Sequence, residues 1–336
     1  SIDLTSGWNL VSLNVSPPDH SLATLLAPIS GQVQQVKGTE GVYIPENPYS
    51  SLTALTDGRA YSILMNGGAT WQVTGAQILA NTPLPLSLGW NLAAYLPQNS
   101  LPVATAMQSI STWLDQVKGT DGVYIPGNPY STLSTMYPGK GYWIKLTSAQ
   151  NLIYPTGRNV AELSEAQDQS MEHTLKPVKA GYEVTRLPSS MVLLARCDWA
   201  SAGDILIARV NGEIRGAEIL QNPEGFPAAL MQIYTDNASE EISLWLHRAD
   251  GSEVELANRF RSEPNSTLGS YPDFIILEPK DGDNGVAELP TRLYGCYPNP
   301  FNPNTTISFS IAEESALVKI TVFNLKGQKV RRLAHA

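Results

Sequence analysis

Cysteine is scarce in this chain of 336 residues, which has two, Cys197 and Cys296. Two cysteines cannot build a disulfide framework, nor do they identify the redox compartment. Histidine is nearly as rare: His20, His173, His247 and His335 stand far apart. No HExxH, G-x-S-x-G or G-x-x-x-x-G-K-[ST] pattern occurs, so the common signatures of zinc hydrolases, serine hydrolases and P-loop enzymes are missing. Charge is low as well, at 16% of residues with a net of -9, and no basic run is present. That balance argues against nucleic acid or an anionic membrane as partner. No apolar run approaches the ~18 residues of a membrane span. The opening Ser-Ile-Asp-Leu-Thr has neither the basic start nor the apolar core of a signal peptide, so the start reads as internal.

Proline and glycine, by contrast, are plentiful, at 24 and 26 residues, as expected where many short strands are joined by turns. Hydrophobic residues make up 42%, enough for true cores, and the length suggests several domains. The acidity is concentrated: residues 1–158 carry a net charge of -1 and residues 159–336 carry -8.

The strongest internal signal is a duplication. Val36 to Leu52 reads VKGTEGVYIPENPYSSL, and Val117 to Leu133 reads VKGTDGVYIPGNPYSTL. Gly7-Trp8-Asn9-Leu10 returns as Gly89-Trp90-Asn91-Leu92, and the block around Tyr61 returns around Tyr142. The offsets agree to within one residue, so two copies of a unit of about 80 residues stand in tandem, too long for a solenoid repeat. Each copy reads as mostly antiparallel β with one short helix, the helix capped by Asp19 or Ser21 in the first copy and by Ser100 in the second. Short strands at Val33–Val36 and Gly41–Ile44, and at Leu114–Val117 and Gly122–Ile125, flank a glycine turn. Trp8 and Trp90 open these units as packing residues.

The candidate site in the repeats is the Asn-Pro-Tyr-Ser loop. Asn47 and Tyr49, with Asn128 and Tyr130, would offer a sugar an aromatic platform and amide donors. The competing structural reading is that proline fixes the turn, asparagine caps it, and tyrosine covers the core edge.

Residues 159–180 are polar and read as a linker. Strands return in 181–278, with an apolar run at Met191–Ala195, a hairpin signal at Asn211-Gly212 and a second at Asp250-Gly251. Regular alternation such as Ile242, Leu244, Leu246 against Ser243, Trp245, His247 indicates a β-sandwich. The stretch GDILIARVNGEIRGAEIL, through Gly203, Asp204, Ala208, Gly212, Arg215 and Gly216, resembles β-sandwich modules near the C-terminus of large secreted proteins of Bacteroidetes-like bacteria. Arg215 reads as a surface ion pair. A second linker covers 279–290; there Asp281, Asp283 and Asn284 start like a calcium loop, but Arg292 at the twelfth position breaks the pattern.

The last segment, 291–336, contains Tyr297, Pro298, Asn299, Pro300, Phe301, Asn302 and Pro303, followed by TTISFSI, VKITVFNLKGQKV and RRL. It resembles the Ig-like C-terminal domain of type IX secretion substrates, which is similar to the Ig-like part of flagellar hook-capping proteins. The resemblance implies export and an extracellular or outer-membrane surface location. About three strands are legible, whereas an Ig-like sandwich needs about seven. The missing strands would lie beyond Ala336, or have been cleaved so that the rest docks on the preceding domain, or come from a neighbouring chain.

The fold class expected is therefore mainly β: tandem repeats at 1–80 and 81–158, each with a short helix, then a β-sandwich and a partial Ig-like sorting domain. The expected function is a non-catalytic structural or adhesive protein of the cell surface, with no cofactor and no metal. Its partners would be further copies through the C-terminal strands, or a glycan. The alternative is a carbohydrate-binding appendage of a secreted hydrolase.

Overall fold

The computed structural model describes residues 1–156, 178–280, 292–297, 306–310, 318–323 and 329–335. The described chain is mainly β, in several small sheets, with a few short helices. The first repeat forms a four-stranded antiparallel sheet in the order Gly7–Ser12, Ala60–Met65, Val33–Lys37, Val42–Tyr43. The second forms the same sheet from Gly89–Ala94, Gly141–Leu146, Leu114–Lys118 and Val123–Tyr124. Each repeat also pairs an early strand with its closing strand, Ile2–Leu4 with Ala69–Trp71 and Leu84–Leu86 with Gln150–Leu152. The sheet's inward residues, Val36 and Ile63 in one copy and Val117 and Ile144 in the other, are buried with the short helix and the closing strand. Trp71 is buried there and donates its indole N–H to the Leu25 carbonyl at 2.8 Å.

The helices start as the local chemistry dictates, though not symmetrically. In the first repeat Asp19 accepts the Ser21 backbone N–H at 2.8 Å, and the helix runs over Leu22–Leu26. The Ser21 hydroxyl donates to Asp19 and lies 2.9 Å from the Thr24 hydroxyl rather than capping the backbone. In the second repeat the expected cap at Ser100 is not used. Leu101–Pro102 is a short strand, and the helix Val103–Ala106 begins after Pro102.

The two repeats meet reciprocally. Ser12 donates its backbone N–H to the Gly139 carbonyl at 3.0 Å, and Ala94 donates to the Gly58 carbonyl at 3.0 Å. These are equivalent positions of the duplication, so the contact has the self-complementary form of a twofold interface. The first strand of each copy leans over the other copy's turn. A Cβ on Gly58 would come within 2.6 Å of Leu84, and one on Gly139 within 3.2 Å of Ile2. Both turn glycines hold φ near +80°, which side chains disfavour anyway. Closest to the pseudo-axis, a Cβ on Gly141 would stand 2.5 Å from the Ala60 Cβ. The duplication carries alanine on one side of that contact and glycine on the other, because two β-carbons do not fit.

The middle module is two facing sheets. One runs Glu213–Ile219, Ile205–Val210, Glu241–His247, Glu253–Arg261. The other pairs Ala228–Tyr234 with Ser190–Arg196, whose far edge takes the short strands Thr267–Leu268 and Ile275–Ile276 in parallel. Asn211 and Gly212 both have positive φ, 51° and 82°, as a type I′ hairpin turn requires. The motif residues of this module are structural. Asp204 is buried and accepts the backbone N–H groups of Ser201 and Ala249. A Cβ on Gly216 would stand 2.7 Å from the Gln232 carbonyl, so glycine lets the two sheets close.

Ser190–Arg196 is buried at every position. Met191, Leu193 and Ala195 face the sandwich core, while Val192 and Leu194 face the second repeat together with Ala228 and Leu230. A strand covered on both sides reads as an unbroken apolar run. The described ends of the stretches read as linkers are tied into sheets. Val178–Lys179 pairs with Tyr182–Glu183, and Glu278 and Lys280 hydrogen-bond along the Glu253–Arg261 strand. Residues 157–177 and 281–290, including the acidic calcium-like start, lie outside the described residues.

In the tail, Arg292–Tyr297 pairs with Thr306–Ser310, and Val318–Phe323 with Lys329–His335, all antiparallel. Four strands are thus described where the sequence pattern yields three. The additional one precedes the proline-rich segment and carries Tyr297 opposite Thr306. Pro298 to Pro303 lie outside the described residues.

Candidate functional site

The two Asn-Pro-Tyr-Ser loops are built alike. In the first, Asn47 Oδ1 accepts the Tyr49 N–H at 2.9 Å, and Ser50 Oγ accepts the Ile44 N–H at 3.0 Å. In the second, Asn128 Oδ1 accepts the Tyr130 N–H at 2.9 Å, and Ser131 Oγ accepts the Ile125 N–H at 3.0 Å. The turn needs a left-handed residue. Gly127 supplies it at no steric cost with φ 72°, whereas Glu46 holds φ 62° against a penalty of ~1 kcal/mol or more.

Their surroundings differ completely. Tyr49 is 91% exposed, and Tyr130 is 0% exposed. The Tyr130 ring stacks on Phe226 at 6.2 Å and meets the edge of Phe274 at 5.5 Å, over Val192, Leu194, Ala228 and Leu230. Its hydroxyl reaches the Phe226 carbonyl at 3.4 Å, and burial pushes its pKa well up. The Arg196 guanidinium lies 4.5 Å from the other partner, Phe226. Asn128 is buried with Tyr130. An open sugar platform at Asn128 and Tyr130 is therefore corrected to a closed protein contact. Asn47 and Tyr49 are exposed. The structure does not bring the two loops together into one site.

A second polar cluster joins the same two units, and nothing in the sequence marked it as a site. Lys118 is 1% exposed, although its duplicate Lys37 lies at the surface in an ion pair with Asp236 at 3.1 Å. Lys118 Nζ donates to the Ser190 carbonyl at 2.8 Å and to Asn265 Oδ1 at 3.0 Å, and sits 4.2 Å over the Trp90 ring. Burial, helped by the nearby Lys145 charge, lowers its pKa to about 7. Trp90 donates its indole N–H to the Asn265 carbonyl at 2.9 Å and packs edge-on to Trp143. Trp90 thus packs as expected, but across the junction rather than in the core of its repeat.

Beside this cluster a cavity of about 20 Å³ is lined by Trp8, Trp143, Arg186, Gln232 and Tyr234, among others. That is room for about one water. The buried Trp143 indole nitrogen, without a partner among the described residues, would satisfy such a water.

Among the described residues, two histidines meet acidic side chains. Folding brings His20 to Asp57 at 3.0 Å and His247 to Glu253 at 3.6 Å, both in partly exposed positions. Among the described residues no three His, Cys, Asp or Glu side chains cluster as a metal site would require. Arg215 pairs with Glu213 at 2.9 Å, as the simple reading has it, but its side chain is largely buried rather than at the surface. Cys197 is buried against the Leu277 carbonyl, and burial raises its thiol pKa strongly. No helix among the described residues is long and apolar enough to cross a membrane.

Residues 295–335 match the family of secretion system C-terminal sorting domains. The chain is accordingly a substrate of the type IX secretion system, secreted to the extracellular space or attached to the cell surface. No curated protein and no solved structure matches the chain.

Proposed function

We propose that residues 1–280 form a non-catalytic structural or adhesive segment of this secreted protein. The observation that carries the reading is where the chain invests its aromatic and charged groups. Tyr130, Phe226, Phe274, Trp90 and Lys118 are spent in closing the junction between the second repeat and the sandwich. Together with the reciprocal contact between repeats, this supports a stiff spacer rather than units hinged around a cleft. The cavity at the junction is of single-water size, too small for the ~300 Å³ or more of a typical ligand pocket. In the wider role, further copies would associate through the C-terminal strands.

A second reading is favoured by one residue. Tyr49, exposed on a proline-fixed loop, supports a carbohydrate-binding appendage of a hydrolase.

The test is deletion of residues 1–280 in the producing cell, with the native export signals retained. Loss of surface attachment or of the surface layer, with secreted hydrolase activities unchanged, is the expected result. Loss of a polysaccharide-degrading activity with attachment intact would overturn the structural reading.

A further inference from the structure

We propose that the Tyr49 loop is a preformed plug for the outer face of a β-sandwich carried by another polypeptide, a face that is aliphatic at its centre and rimmed by phenylalanine. The inference rests on the non-catalytic reading and adds a partner to it.

The duplication supplies the template. VYIPxNPYS occurs twice, and in the second copy the structure shows what it binds. Tyr130 packs against Phe226 and Phe274, which also touch each other, and Val123 and Ile125 lie on the aliphatic face formed by Val192, Leu194 and Leu230. The first copy presents the same side chains without a cover. Tyr49 is 91% and Ile44 41% exposed, and Val42 is only partly buried where Val123 is fully buried.

The free loop keeps the geometry of the docked one. The Asn-to-Tyr and Ser-to-Ile hydrogen bonds recur at the same lengths in both copies. Glu46 retains the left-handed backbone that Gly127 adopts in the docked loop. A surface already held in its bound conformation loses little freedom on docking.

Counting identifies the partner. The described residues contain two plugs and one such face, and that face is filled by the second repeat of the same chain. A second copy has its own face filled in the same way. The free plug therefore fits a sandwich face from a different protein.

The experiment uses this chain's own face as the probe. A full-length variant, Y49A/I125S/Y130S, has its face vacated and carries no plug tyrosine. It is mixed with the wild-type chain at 10–100 µM, roughly the range that a single aromatic anchor supports, and followed by analytical ultracentrifugation. The expected result is a one-to-one complex that weakens at least tenfold when the wild-type chain carries Y49A. No complex with a probe that keeps its native circular dichroism, or a complex indifferent to Y49A, overturns the proposal. If the triple variant is unfolded, Y49A/Y130S serves as the milder probe under the same criteria. Tyr49-dependent self-association of the wild-type chain alone would overturn the counting argument. Tyr49-dependent binding to a glycan array, without binding to the probe, would overturn the protein partner in favour of a sugar. None of these outcomes bears on attachment after deletion of 1–280, so the two readings fail separately.

Discussion

The Lys118 ammonium lies 4.2 Å over the Trp90 ring, and both side chains hydrogen-bond to Asn265, the lysine to its side chain and the tryptophan to its carbonyl. One residue of the sandwich thus ties down two residues of the second repeat. The lysine pKa, about 7 against an ordinary 10.5, couples that junction to pH.

The sign follows from linkage. Above pH 10.5 Lys118 is neutral both packed and exposed, and its burial carries no charge penalty. As pH falls from 10.5 towards 7, the exposed form takes up a proton that the packed form resists, so the packed form loses stability. Below about 7 both forms are protonated and the loss levels off. The slope from this one group is at most ~1.4 kcal/mol per pH unit. The thermal midpoint is therefore expected to rise from pH 7 to 9, and K118M to flatten that rise. Buried tyrosines such as Tyr95 and Tyr142, whose pKa values are raised by burial, act in the opposite sense only near pH 10 and above. A wild-type midpoint that falls over pH 7 to 9, or is matched in slope by K118M, would count against a buried, titrating Lys118.

The twin tyrosines give a paired mutational test. Y130A removes a buried ring and is expected to cost about 3–5 kcal/mol, as truncation of large core aromatics does. Y49A removes an exposed ring and should stay within ~0.5 kcal/mol of wild type. Urea unfolding of the two variants measures the difference, and equal effects would mean that the two loops are equally buried in solution.

The repeat contact predicts a compensating pair. G141A sets a β-carbon against Ala60 and is expected to destabilise by about 1–3 kcal/mol through overpacking. A60G in the same chain relieves the clash and should recover part of that loss, less the ~0.5–1 kcal/mol that glycine costs in a strand. Additive losses in the double variant, read by thermal unfolding, would show that the two residues do not face each other.

Cys197, buried and with a raised thiol pKa, should resist alkylation in the native protein and react once urea has unfolded it. Peptide mapping after iodoacetamide treatment reads this directly, and rapid native labelling of Cys197 would contradict its burial.

Export should depend on the tail. Removal of residues 295–335 is expected to retain the protein inside the cell envelope, and fractionation with immunoblotting checks it. Unchanged surface or medium levels would show that the tail is not the sorting signal.

Much of the fold was legible because it is decided locally. Alternation in Glu241–His247, the Asn211-Gly212 turn and the two repeat copies all act over a few residues, where backbone sterics and side-chain period leave few choices. The sorting tail was legible for a different reason, as a specific string of residues that its family shares. Ser100 does not start a helix because pairing of Leu101–Pro102 with Thr135–Met136 overrides the local cap signal.

What the sequence determined by itself was the duplication, its mainly β character, the sandwich and the sorting tail. Only the tertiary structure separated the copies. Tyr49 and Tyr130, or Lys37 and Lys118, sit in nearly identical local sequences and have the same local preferences. Their fates part because the sandwich buries Tyr130 and Lys118 and leaves Tyr49 and Lys37 at the surface, and burial of that kind is settled by contacts across more than 60 residues of chain.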